Sequence, residues 1–194
     1  FKDEDLPKDT EKRKLYETGK KHLLDLGYME IGMDHFALPA DNMFTAFNTG
    51  KLHRNFMGYT ASKTQLMIGL GVSSIGDSWY AFGQNEKEIE AYYEAINQHQ
   101  LPILNDEDLI IRKHILNIMC TFETSWTDAM GYFETLPQVI DDLAEMQADG
   151  LLQITSGKLM VTDAGKAFVR NICMAFDLRL KRKTPETKLL SMTV

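Results

Sequence analysis

The sequence predicts an α+β fold, mostly helical, in two parts that meet near residue 104. Three observations carry this. Up to Pro102 helix-like and strand-like patterns alternate, beyond it apolar residues recur at helical spacing, and one hairpin signal interrupts those later helices. With 194 residues, 44% hydrophobic and 25% charged, the chain has the balance of a soluble globular protein and the length of one large domain or two small ones. The parts are taken as residues 1–104 and 105–194.

The first helix is expected from about Thr10, a candidate N-cap, with Leu15, Tyr16, Gly19 and Leu23 at helical spacing and Gly27 as its stop. Tyr28 to Met33 has strand composition, and Pro39 opens a second helix with Met43, Phe44 and Phe47 inward and Gly50 ending it. Residues 51–65 show no period and read as a long loop. Leu66 to Gly76 is apolar and small, as a strand covered on both faces would be. Asn85 with Glu88 makes a box-like cap for a helix that buries Ile89, Tyr92, Tyr93 and Ile96.

In the second part, Asn105 caps a helix with the stripe Ile111, Ile115, Ile118 and Phe122, and Asp106, Glu107 and Asp108 suit its N-terminal dipole. His99 and His114 fall in helical patterns and read as surface or interface residues. A further helix runs from about Leu136 to Asp149, stopped by Gly150. Leu152, Ile154, Leu159 and Val161 alternate around Ser156-Gly157 as a short β-hairpin, and Thr162 caps a last helix carrying Phe168, Ile172, Phe176 and Leu180. Helix, helix, hairpin, helix resembles a winged-helix module. DNA is nevertheless not the expected partner, because 28 acidic against 21 basic residues give a net charge of -7.

No apolar run approaches the roughly 20 residues of a membrane span, so no membrane partner is expected. The start, Phe1 to Asp5, lacks the regions of a signal peptide, and Cys120 and Cys173 lie in apolar surroundings as reduced thiols do. A cytoplasmic location is expected. The missing initiator Met suggests a piece of a longer chain.

The chemical signals are uneven. Gly69-Leu70-Gly71-Val72-Ser73-Ser74 starts like a dinucleotide fingerprint but has Ser74 at the third glycine position, and Ser73 is followed by Ile75 rather than by the Gly of a nucleophile elbow. Asp34, His35 and His53 match no metal-ligand spacing, so no metal site is expected. Leu52 to Thr60 combines a cation, an imidazole, an amide, two aromatics and a glycine. This set suits a flat anionic ligand, with Arg54 and His53 on carboxylates and Phe56 or Tyr59 on a ring, or equally a loop whose aromatics plug the core.

Four ordered segments, Tyr28 to Ala37, His53 to Thr60, Gly69 to Ile75 and Arg170 to Asp177, closely resemble oxygen-independent coproporphyrinogen III oxidases of the radical SAM family. The resemblance implies S-adenosyl-L-methionine and a 4Fe–4S cluster as cofactors and coproporphyrinogen III as substrate, two of whose propionates become vinyls in anaerobic haem synthesis. It implies the end of a partial radical-SAM (β/α) barrel over 1–104, followed by a winged-helix-like helical C-terminal domain. By resemblance Ile75 contacts S-adenosylmethionine, and His53, Arg54, Phe56, Met57 and Tyr59 belong to a segment facing the substrate cavity; many members have Gln where Met57 stands. The family's cluster-binding cysteine triad has no counterpart here. The expectation is therefore a monomeric C-terminal part, inactive alone, whose catalytic residues and partner lie in an N-terminal barrel half. The alternatives are a related haem chaperone and a stand-alone winged-helix-like interaction module.

Overall fold

The computed structural model describes residues 6–96, 104–128 and 131–183. Helix α1 spans Asp9–Asp25, entered from an extended Lys8, so Thr10 lies inside the first turn rather than capping it. Strands β1 (Met29–Gly32) and β2 (His35–Ala37) form an antiparallel hairpin through Met33, whose φ is 53°. Helix α2 (Asn42–Asn48) starts later than Pro39 suggests, because the Asp41 carboxylate accepts from the Met43 N–H at 2.7 Å.

Residues 51–65 are more ordered than a loop. Strands β3 (His53–Asn55) and β4 (Gly58–Thr60) pair antiparallel, too short for any sequence period to show. The apolar run 66–76 also departs from expectation. It supplies the two-residue strand β5 (Leu66–Met67), an exposed connection and the start of β6 (Ile75–Ser78), which pairs with β7 (Phe82–Gln84). Leu66, Ile68 and Leu70 are 63, 70 and 86% exposed, so nothing among the described residues covers this strand. Asn85 does not cap helix α3 (Ile89–Ala95); its amide donates to the Gly71 carbonyl and the Ser74 hydroxyl, tying the connection to the end of β7.

Helix α4 (Asp106–Thr121) begins with the expected cap. The Asn105 side chain accepts from the Asp108 N–H at 2.8 Å and the Asp108 carboxylate accepts from the Asn105 N–H at 2.9 Å. After β8 (Glu123–Ser125), the segment read as one helix breaks at Leu143 into α5 (Leu136–Asp142) and α6 (Ala144–Ala148). The hairpin β9 (Leu152–Thr155) and β10 (Lys158–Val161) follows, with β10 central in the sheet order β8-β10-β9. Thr162 accepts from the Gly165 N–H at the start of a 3-10 turn, and α7 (Val169–Phe176) and α8 (Leu178–Lys183) complete the described chain.

The larger core joins Ile111 and Ile118 of α4 to Leu136, Val139, Leu143, Leu152, Leu159, Val169, Ile172 and Phe176. A smaller one gathers Ile31, Ala37, Ala46, Leu52 and Tyr59 around Cys120 of α4. Met33 and Met119 pack against both, so apolar contact continues across the division at 104/105. Every described strand pairing is antiparallel. The parallel strands of a (β/α) barrel are thus not seen among the described residues, where β8 alone pairs with a strand distant in the chain and the other pairings join strands consecutive in sequence.

Asp108 ties the first turn of α4 to α8, since Arg179 of α8 donates to its carboxylate from Nε at 2.7 Å and Nη2 at 2.5 Å. These bonds hold the carboxyl below its ordinary range. Replacing Asp108 by Ala removes one of the two bonds of the capping box, worth about 1 kcal/mol, while the Asn105 cap itself remains, and it removes an ion pair discounted to at most ~1 kcal/mol because Arg179 is 41% exposed. The expected loss of about 2 kcal/mol would appear as a lower urea midpoint at unchanged m-value.

Candidate functional site

The β3–β4 hairpin decides where the expected site residues go. Successive side chains of a strand point to opposite faces. His53 and Asn55 therefore share one side of β3 and line a cleft of about 370 Å³, with Lys63, Met67, Asp77, Trp79, Tyr80 and Arg112 among its other walls. Arg54 takes the opposite side, its guanidinium carbon 4.8 Å from the ring centre of its cross-strand neighbour Tyr59.

Arg112 holds the cleft together. Its Nη2 donates to both oxygens of Asp77, at 2.7 and 2.9 Å, and its Nη1 to the carbonyls of Ser78 and Trp79, at 2.8 and 3.2 Å. No residue of 61–96 is fully buried, so this bidentate anchor from α4 takes the place of a hydrophobic floor in fastening the β5-β6-β7 sheet. The same guanidinium lies 5.1 Å, and the Lys63 ammonium 5.8 Å, from the centre of the Trp79 ring. Burial, then the positive charges of Lys63 and Arg112, hold the His53 imidazole below its ordinary pKa, with Asp77 pulling the other way.

The residues named from the sequence do not converge. Tyr59 is buried, donates its hydroxyl to the Met119 carbonyl at 2.8 Å and is raised by burial, so it is a core residue. Arg54 lies against it with Nη1 buried and unpartnered. Phe56 is half exposed and leans on Phe82, ring centres 5.7 Å apart, while Met57 at the turn is 85% exposed. Ile75 opens β6 opposite Gln84, outside the cleft. Of the six, His53 alone lines the cleft. Asp77, Trp79, Lys63 and Arg112 were not singled out by sequence: Asp77 and Arg112 are 35 positions apart, and no local spacing announces such a pair.

The thiols do not fit a cluster. Cys120 and Cys173 are both buried, with burial raising Cys120 to about 11 and Cys173 further still, and no group of three or more His, Cys, Asp or Glu among the described residues could hold a metal. No described helix is long and apolar enough to cross a membrane.

No family model matches the chain. It is 34% identical to oxygen-independent coproporphyrinogen III oxidases from Synechocystis, over 93% of this chain, and from Escherichia coli, over 94%. The protein of that name from Thermostichus vulcanus is also 34% identical, over 94% of this chain and 59% of its own length. Among solved structures, coproporphyrinogen III oxidase from Escherichia coli, described as a radical SAM enzyme, superimposes with a TM-score of 0.81 at 33% identity over 93% of this chain. The chain is a homologue of these oxidases. It spans 42% of the length of the Synechocystis and Escherichia coli oxidases and 44% of the solved one, matching their C-terminal part.

Proposed function

We propose that the chain serves as the C-terminal part of an oxygen-independent coproporphyrinogen III oxidase that converts two propionates of coproporphyrinogen III to vinyls. The observation that carries this reading is the match in fold and sequence together, TM-score 0.81 at 33% identity over 93% of the chain, to an oxidase of that name. The antiparallel elements of 1–104 then serve as the closing piece of a partial barrel whose other strands lie upstream, and 105–194 as a winged-helix-like domain. The order helix, strand, helices, hairpin around the β8-β10-β9 sheet supports the second assignment.

S-adenosylmethionine, when bound, supplies the carbon radical that takes hydrogen from the propionates. This chain offers that cofactor an apolar lip: exposed Phe56 and Met57 at the hairpin turn, and Ile75 on the strand that pairs with the one carrying Phe82. The exposed Leu66, Ile68 and Leu70 give the upstream half a surface to cover. The cluster is held upstream, since the buried Cys120 and Cys173 do not fit it. Arg54, with no carboxylate partner among the described residues, is the hairpin cation assigned to a substrate propionate.

A chimera tests the reading. The segment of the Escherichia coli oxidase not matched by this chain is fused ahead of Phe1, reconstituted anaerobically and given coproporphyrinogen III, S-adenosylmethionine and a reductant. Release of carbon dioxide and formation of protoporphyrinogen IX are expected from the chimera, and neither from the 194-residue chain alone. A folded chimera that holds its cluster and passes haem to an acceptor without decarboxylation would point to the chaperone reading instead.

A further inference from the structure

In the cleft beside β3 the one carboxylate is taken up while an ammonium and an amide keep free donors. Both Asp77 oxygens accept from Arg112. The Ser78 hydroxyl is occupied by Ala81, donating to its carbonyl and accepting its N–H, each at 3.1 Å. The Asn55 side-chain oxygen accepts the Met57 N–H at 2.8 Å, which leaves its NH2 as a donor on the cleft side of β3. His53 adds a ring nitrogen, and the Lys63 ammonium has no carboxylate partner among the described residues. With Arg112 neutralised by Asp77, the cleft carries one uncompensated positive charge in a chain whose net charge is -7. Its remaining walls are Met67, Trp79 and Tyr80, apolar or aromatic, and the uncharged polar side chains of Thr64 and Gln65.

We propose that this cleft binds an organic carboxylate on a small flat ring, with the Lys63 ammonium and the Asn55 amide on the carboxylate and the ring against Met67 and Trp79. A volume of about 370 Å³ suits one five- or six-membered ring with a short acid arm and is at the small end of ligand sites. The choice of a pyrrole propionate as probe rests on the function proposed above; the cleft's chemistry does not.

The test is titration of pyrrole-3-propionate into the full 194-residue chain, without cluster or S-adenosylmethionine, following the His53 and Trp79 ring resonances by NMR. Saturable shifts at both rings are expected. Lys63→Gln, at an exposed position, should weaken binding about tenfold, the loss of one charge-assisted contact. Asn55→Asp keeps the acceptor for Met57 and sets a carboxylate against the ligand, so it should abolish binding. The methyl ester should not bind. Absence of saturable shifts, equal binding of the ester, equal binding by Lys63→Gln or tighter binding of inorganic phosphate would each overturn the proposal. Because no turnover is read, a negative result would leave the oxidase reading standing, and an inactive chimera would leave the cleft standing.

Discussion

Gly165→Ala is expected to cost more than about 3 kcal/mol and to dismantle the C-terminal core, whereas Gly19→Ala should stabilise the same protein by about 0.5–1 kcal/mol. A Cβ on Gly165 would lie 1.8 Å from the Leu151 carbonyl oxygen and 2.7 Å from its carbon, with a Val161 methyl at 3.0 Å. Two of these atoms are backbone, so relief requires the chain itself to move. Leu151 cannot retreat freely: its N–H donates to the Met146 carbonyl, its oxygen accepts from the Thr162 N–H, and buried Leu152 follows it. The 3-10 turn that starts at Gly165 delivers Val169 and Ile172, 1 and 0% exposed, into the main core. Gly19 lies within α1, has nothing within 4 Å of its would-be Cβ, and gains only helix propensity. Denaturant unfolding of both variants checks the contrast. A Gly165→Ala protein as stable as the parent would show that the Leu151–Gly165 approach is not a constraint.

The elements legible in the sequence are those set by neighbours a few positions apart. The Asn105–Asp108 box is one, its two bonds closing within four residues. The β9–β10 hairpin is another, where Ser156 and Gly157, at φ 43° and 84°, meet the positive-φ demand of a tight turn. The run from Leu66 misled because apolar composition says that a residue can be buried, not that it is. In this chain the covering surface is not among the described residues. The β3–β4 hairpin was hidden by the brevity of its strands, and with it the alternation that sends His53 to the cleft and Arg54 to Tyr59. Met57 and Ile75 were reached through resemblance, and nothing in their own spacing marks them.

His114, read from its helical position as a surface or interface residue, is instead 0% exposed, and its loss is expected to be the second severe one. Its Nε2 lies 2.8 Å from the Gly131 carbonyl, which can only accept, so Nε2 carries the proton. Nδ1, 2.7 Å from the Thr124 hydroxyl, then accepts, and the ring sits among Trp126, Phe133 and Phe176. His114→Ala leaves Thr124 and the Gly131 carbonyl without this partner and opens a cavity, which together should cost about 3–4 kcal/mol at neutral pH. Burial holds the imidazole below its ordinary pKa, with Lys113 adding to this and the Gly131 bond opposing it. The folded protein therefore resists the proton that the unfolded chain accepts near pH 6.5. This contribution is fully present above about pH 6.5 and is lost as the pH falls from there toward the folded value, by at most ~1.4 kcal/mol per pH unit. His53, shifted the same way, adds to the same slope. Urea unfolding at about pH 8 and about pH 5.5 should show the parent losing more stability on acidification than His114→Gln, which has no imidazole to titrate. Equal losses in the two proteins would place the acid sensitivity elsewhere.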